Sequence, residues 1–364
     1  MVLPAPGWMP DPSFIGVERY WDGSRWTSRT RDAHSHVETT PTPTANRSWV
    51  VQSKQRRRWD VSRAFGMAMV VAAASGACVW GYSFIRPVSI DNGTQAAGGN
   101  VFARPSDPDV AYPAYGSDEF VQYLEKSMVE QDATIDVAYW TARGVSADDV
   151  TDAMQEAMSQ NPYIYAGGWT MSGPGTVARV EPDYTYPDQE AQRRREATAT
   201  AVEVGLASVR IDTIQGDKEK AAAIYDYVTS AATYDYSAYD AITAGDINGY
   251  EESQEAYGIL VSGTAVCNGY AKAYLAMAER AGLDTVIVTG DVVQGMTIGS
   301  HAWDKVRIDG TWLTVDPTWD DNDADDNRSG RDYFLLPDGD AALITRTADL
   351  GWIRDSAAGD FATA

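Results

Sequence analysis

The chain has 364 residues, 44% of them hydrophobic and 11% aromatic, with 52 Asp and Glu against 29 Lys and Arg. That apolar content excludes wholesale disorder, and the length allows two or three domains. A formal net charge of −23 disfavours nucleic acid and other anionic polymers as partners. Residues 1–30 lack the apolar run of a signal peptide. They place Trp8, Tyr20, Trp21 and Trp26 around Asp22-Gly23, a hairpin-turn dipeptide, and read as a short cytoplasmic Trp-rich domain with a miniature core. Residues 31–63, rich in Thr, Ser, Pro and Arg and without a period, read as a linker.

Lys54, Arg56, Arg57, Arg58 and Arg63 form a basic run just before residues 64–85, which carry no charge. Twenty-two helical residues span roughly 33 Å, enough to cross a bilayer core. With the cationic flank inside, the segment reads as one transmembrane helix, the N-terminus cytoplasmic and everything beyond it outside the cell membrane. Charge follows the same division, because residues 87–364 hold 18 Lys and Arg against 46 Asp and Glu, a net −28. The basic run is thus a topology signal and not a nucleic-acid site. Of the two cysteines, Cys78 and Cys267, only Cys267 lies beyond the apolar segment, so no intramolecular disulfide can form there. A free thiol kept in an oxidising compartment suits a catalytic role.

Residues 86–112, with Gly98-Gly99, Pro105 and Pro108, read as a stalk. Residues 113–210 read as an α+β accessory subdomain: a strand at 133–139, a helix at 146–159 opened by Ser146, extended segments at 161–169 and 176–180, and a helix at 188–211. No chemistry is legible there; substrate positioning is the role that suits it.

In residues 211–345 the apolar positions Tyr270, Ala271, Tyr274, Leu275, Ala278 and Ala281 recur at helical spacing, with Gly282 as the stop. Cys267 therefore opens a helix. The N–H groups and positive dipole end there favour a thiolate and offer a donor to an oxyanion. Residues 285–289 read as a strand, and 301–308 and 311–315 flank Asp309-Gly310 as a hairpin. Pairing Ile308 with Thr311 sets Trp303 opposite Asp316 and His301 opposite Thr318. His301 and Asp316 then become diagonal neighbours, roughly 7 Å apart at the backbone. A nucleophile needs a base within hydrogen-bond reach, and the base needs a group that holds its tautomer.

Val266-Cys267-Asn268-Gly269-Tyr270-Ala271, His301-Ala302-Trp303, and Asp309-Gly310-Thr311-Trp312 through Asp316-Pro317-Thr318-Trp319-Asp320 resemble the core motifs of the bacterial transglutaminase-like superfamily. Lys218 to Tyr227, with Tyr234-Asp235-Tyr236, is similar to the family's leading helix and the segment after it. The resemblance implies an α+β fold with a papain-like core, a helix bearing the cysteine packed on an antiparallel sheet. It also implies Cys267 as nucleophile, His301 as general base and acid, and Asp316 as the residue that orients it. The N-terminal segment resembles a short Trp-rich domain of unknown function typical of actinobacterial membrane proteins.

The expected function is a membrane-anchored thiol enzyme acting on amide or peptide bonds of a protein or peptide, cell-wall peptides included, through a thioester. A peptidase or amidase is preferred to a transamidase. The alternative is a non-catalytic envelope scaffold with a relic triad, since single cysteines and histidines are most often structural. Trp303, Trp312 and Trp319 are expected to pack around the site, and Tyr257 is a candidate second oxyanion donor. Asp321, Asp323 and Asp325 alternate as in a calcium loop with Asp332 at the twelfth position, but Asp326 stands where that loop's sharp turn wants Gly. The segment reads as a solvated loop, and neither a metal nor an organic cofactor is expected.

Overall fold

The computed structural model describes residues 103–243, 249–294, 297–321 and 330–348, together with the backbone of strands at 7–11, 14–21, 26–32, 38–39 and 89–91. Residues 64–85 lie outside the described residues, and among the described ones no helix is long and apolar enough to cross a membrane. The chain forms two units. In the N-terminal one, β1 (Gly7–Asp11), β2 (Phe14–Trp21), β3 (Trp26–Asp32) and β4 (Glu38–Thr39) make an antiparallel sheet in that order. Trp21 pairs with Trp26, as a hairpin about Asp22-Gly23 requires, although the turn residues themselves are outside the described set. The sheet also takes in residues 31, 32, 38 and 39, expected to be linker.

The larger unit is mixed helix and sheet. It begins with β5 (Ser89–Asp91), α1 (Glu119–Glu130), β6 (Ile135–Asp136), α2 (Ala138–Thr141) and α3 (Ala147–Gln160). β7 (Ala166–Pro174), β8 (Arg179–Tyr184) and α4 (Asp188–Ser208) follow. The stalk expected at 86–112 is in part docked: β5 pairs in parallel with Ser172–Pro174 of β7, Val110 and Tyr112 pack on the accessory core, and Asp107 binds Lys126 at 2.9 Å. The strand expected at 133–139 shrinks to β6, because Asp136 Oδ1 accepts the Ala138 N–H at 2.9 Å and starts α2 instead. α3 forms as its sequence dictates, Ser146 and Asp149 closing a reciprocal capping box.

Next come α5 (Asp217–Ala231), β9 (Thr233–Tyr234), α6 (Tyr236–Thr243), β10 (Thr264–Ala265) and α7 (Cys267–Arg280). After them lie β11 (Thr285–Gln294), β12 (Thr297–Ile308), β13 (Thr311–Val315), α8 (Pro317–Asp320), β14 (Phe334–Leu336) and β15 (Arg346–Ala348). The sheet order is β14-β13-β12-β11-β15, and α7 packs on β12. α7 is buried on nearly every face, with Tyr270, Tyr274, Leu275 and Met277 fully enclosed. At roughly 1.5–3 kcal/mol for each large apolar side chain, this burial and not intrinsic propensity holds the helix. Its far end closes as a Schellman turn: Gly282 takes φ +84° and Leu283 N–H reaches the Ala278 carbonyl at 2.9 Å.

The Asp309-Gly310 hairpin also closes as expected, with φ +50° and +82° and Ile308 opposite Thr311. Its ladder ends sooner than expected, at Asp304 opposite Val315, so Trp303 and His301 have no strand partners in β13. Asp316 leaves the strand because Pro317 at the first helical position starts α8, with Asp316 as its N-cap.

Candidate active site

Two neighbouring segments pin the approach to Cys267. Val266 N–H donates to the Ser253 carbonyl at 2.8 Å, and Asp235 N–H to the Ala265 carbonyl at 2.9 Å. Gly269 is required one half-turn later, because a Cβ there would lie 2.6 Å from Ala265 Cβ and 2.9 Å from the Ser253 carbonyl oxygen. Val266 at the N-cap supplies no side-chain oxygen, so no side chain caps the helix start on which the thiol sits. That end keeps its positive pole for an anion.

His301 stands on β12 and Asp316 at the end of β13. Their Nε2 and Oδ2 atoms are 2.7 Å apart, and the imidazole makes a further hydrogen bond with the Cys267 side chain. With Nε2 committed to the carboxylate, Nδ1 is the ring atom left for the sulfur. All three side chains are buried. Burial alone would push the imidazolium down, but the Asp316 charge and hydrogen bond, followed by the contact with Cys267, raise it to about 9. At Asp316 burial pushes the carboxyl up, and the charges of His301 and Arg346 outweigh it and hold it below its usual range.

The Asp316 backbone is itself fixed on both sides of the residue. Asp316 N–H donates to the Tyr333 carbonyl at 2.9 Å, and its own carbonyl accepts from Tyr225 Oη at 3.0 Å. The Tyr225 hydroxyl also meets Asp320, which accepts N–H groups of Asp332 and Tyr333 at 3.1 and 2.8 Å. Trp303 stacks near His301 at 5.9 Å between ring centroids, and Trp319 lies tilted at 5.5 Å. Trp312 packs one layer away with Val288 and Trp303. Asp304, fully buried near Asp316, is pushed well above its usual range by burial, with the Asp316 charge acting the same way.

Tyr257 does not join this group: its hydroxyl accepts from Arg193 Nη1 at 3.2 Å, turned toward α4. Two features escaped sequence reasoning. Asn268 Nδ2 donates to Gln254 Oε1 at 2.6 Å, leaving the buried Gln254 Nε2 without a partner. Arg346 of β15 reaches Asp316 Oδ2 at 2.6 Å. Asn268 stands in the Cys267 motif, but its partner Gln254 lies outside it, and Arg346 carries no local motif and comes to the site by folding alone. Among the described residues no cluster of three or more His, Cys, Asp or Glu could hold a metal ion.

Residues 207–317 match the family model described as the transglutaminase-like superfamily. The chain carries a transglutaminase-like domain. Residues 6–45 match a second model, that of a protein of unknown function, DUF2510. Among solved structures the chain is similar to a transglutaminase at 20% identity, covering 51% of this chain and 52% of that one with a TM-score of 0.30. It is also similar to a protein from Cytophaga hutchinsonii provisionally described as a cysteine protease, at 16% identity and a TM-score of 0.29, covering 45% and 44%. The chain thus spans about half the length of each. No curated protein matches it. Within the transglutaminase-like domain, Cys267, His301 and Asp316 are the residues that the fold brings into one hydrogen-bonded line.

Proposed function

We propose that the chain is a thiol enzyme, anchored by one transmembrane helix at residues 64–85 with its catalytic domain outside the cell, that opens amide or peptide bonds through a Cys267 thioester. One observation carries the reading: a buried thiol at an uncapped helix start, hydrogen-bonded to an imidazole held 2.7 Å from a buried carboxylate. In this arrangement the Cys267 thiolate adds to the carbonyl carbon, and the developing oxyanion faces the N–H groups of the α7 start. His301 gives its proton to the leaving amine as the C–N bond breaks. Water then attacks the thioester, His301 takes up its proton, and the acid leaves with the thiolate restored.

An amine in place of water makes the same thioester a route to transamidation. Hydrolysis is preferred because water needs no acceptor site of its own. The acyl donor is a protein or peptide, with cell-wall peptides within reach of an outward-facing domain. Outward topology follows from the cationic flank at Arg56–Arg58, and an impermeant thiol reagent should label Cys267 in intact cells that admit it. Labelling only after lysis would reverse the orientation.

The test is to incubate the protein with peptide mixtures and cell-wall fragments, with and without a primary-amine probe, and examine products and protein by mass spectrometry. A thioester adduct on Cys267 that His301→Ala suppresses is expected. Cleaved products without the probe mean hydrolysis; probe joined to the acyl group means transamidation. If Cys267→Ala and Cys267→Ser both restore the phenotype of a deletion strain fully, the enzyme reading fails and a scaffold with a relic triad replaces it.

A further inference from the structure

Asp316 Oδ2 serves two cations at once. His301 Nε2 lies 2.7 Å from it and Arg346 Nη2 2.6 Å, the guanidinium being 3% exposed. The guanidinium carbon stands 4.4 Å from the Trp319 ring centroid and 5.3 Å from those of Trp303 and Tyr333. Trp303 and Trp319 are the same two rings that flank His301. Arg346 Nε and Nη1 have no hydrogen-bond partner, and Nη2 is engaged by Asp316 Oδ2. A buried guanidinium that leaves donors unspent is costly. What offsets the cost here is one carboxylate charge and three aromatic faces.

We infer that Arg346 is a positioning residue of the Cys267–His301–Asp316 set, fixing the carboxylate as an anion and limiting how tightly it holds the imidazolium. The inference rests on the thiol-enzyme reading and deepens it. Asp316 alone would hold the imidazolium too firmly to release its proton to a leaving amine, and a second cation on the same oxygen draws that affinity back toward the working range. The other groups around the pair leave Arg346 as the countercharge. On β12, burial pushes Asp304 well above its usual range and so works against a second anion there; Tyr225 of α5 and Tyr333 before β14 are kept neutral by burial. Asp320 of α8, raised by burial, is occupied by Tyr225 and two backbone N–H groups, and Cys267 of α7 faces the imidazole from the other side.

The test follows the titration of His301 by NMR in the full chain, its ring signals assigned with His301→Gln. In Arg346→Gln the imidazolium should titrate upward by about one unit or more, since two cations held on one carboxylate oxygen no longer repel. Arg346→Lys, which keeps the charge, should return most of that shift. A merely structural arginine moves neither value, so an unmoved titration in folded Arg346→Gln, or equal shifts in both variants, overturns the inference. Arg346→Met, which keeps a stem against Trp319, gives the same neutral reading should the glutamine variant not fold. If neither neutral variant folds, the role is structural and the inference falls. No substrate enters the measurement, so an inert Cys267 would defeat the enzyme reading and leave this result standing.

Discussion

Asp316→Asn isolates the force that charges His301. Against burial, which by itself acts downward, the carboxylate and, after it, Cys267 raise the imidazolium to about 9. From the ordinary 6.5 to about 9 the difference is on the order of 3 kcal/mol in favour of the charged ring, at 1.36 kcal/mol per pKa unit. With asparagine in place, burial, a neutral amide and the Cys267 contact remain, and the ring titrates well below 9, toward its ordinary value. At pH 7.5 the charged fraction then falls from about 97% toward about 10%. A thiol without its imidazolium partner moves up toward the free value of about 8.5, with only the helix start left to favour the thiolate. Alkylation of Cys267 by iodoacetamide should therefore slow by up to about tenfold at pH 7.5 and more steeply at lower pH. The assay uses the full chain carrying Cys78→Ala, so that one thiol reports. Asparagine at this N-cap can still accept from Trp319 N–H, but Arg346 loses its anion, and rates belong well below the unfolding transition. A variant profile superimposable on wild type from pH 5 to 9 would refute the thiolate–imidazolium pair.

Other expectations concern the scaffold. Glu125 is fully buried, accepts N–H groups of Tyr115 and Gly116 at 2.8 and 2.7 Å, and is raised by burial to about 8. A raised folded pKa gives stability that is complete below the unfolded value of 4.5 and is lost as pH climbs through 8, so wild-type unfolding free energy should fall across that window. Denaturant melts of Glu125→Gln should show a shallower fall, and an unchanged slope would mean the carboxyl is not the titrating group. Gly269→Ala forces a methyl against Ala265 and the Ser253 and Glu255 carbonyls, where backbone has to move. It should cost about 1–3 kcal/mol in denaturant melts and slow alkylation of Cys267. A neutral result would show that the segment at 253–255 yields freely.

What the sequence made legible was local. Cys267 at a helix start, the Asp309-Gly310 turn, the Ser146 cap and the Gly282 stop each need only neighbouring residues, and each appears where expected. His301 and Asp316 meet as expected although the ladder stops at Asp304, because Asp316 turns inward as the cap of α8 instead of continuing in register. Long-range effects were not legible. β11 runs to residue 294, past Gly290, which reads locally as a strand end. Gly290 is in fact where β15 comes close: a Cβ there would lie 2.1 Å from the Thr347 carbonyl oxygen. Arg346 rides on that three-residue strand, and nothing near it in sequence marks it as a neighbour of Asp316.

The region that showed no chemistry in sequence acquires a part in it through the same kind of contact. Gln160 at the end of α3 pairs both ways with the Ile287 backbone at 2.8 Å, acting as a strand partner at an edge that the short β15 does not reach. Arg194 of α4, nearly buried, binds Glu252 at 2.7 Å and Glu255 at 3.1 Å. Those two glutamates bracket Ser253, which accepts the Val266 N–H, and Gln254, which is held by Asn268. The accessory helix therefore grips the segment against which the Cys267 helix begins. The Glu255 contact is buried and the Glu252 contact is partly exposed, so the buried one is the costlier to break and the grip resists drift at the thiol. Residues 113–210 bear on the candidate site in this sense: they set where the Cys267 helix starts, and Tyr115 packs against the cluster that holds Cys267.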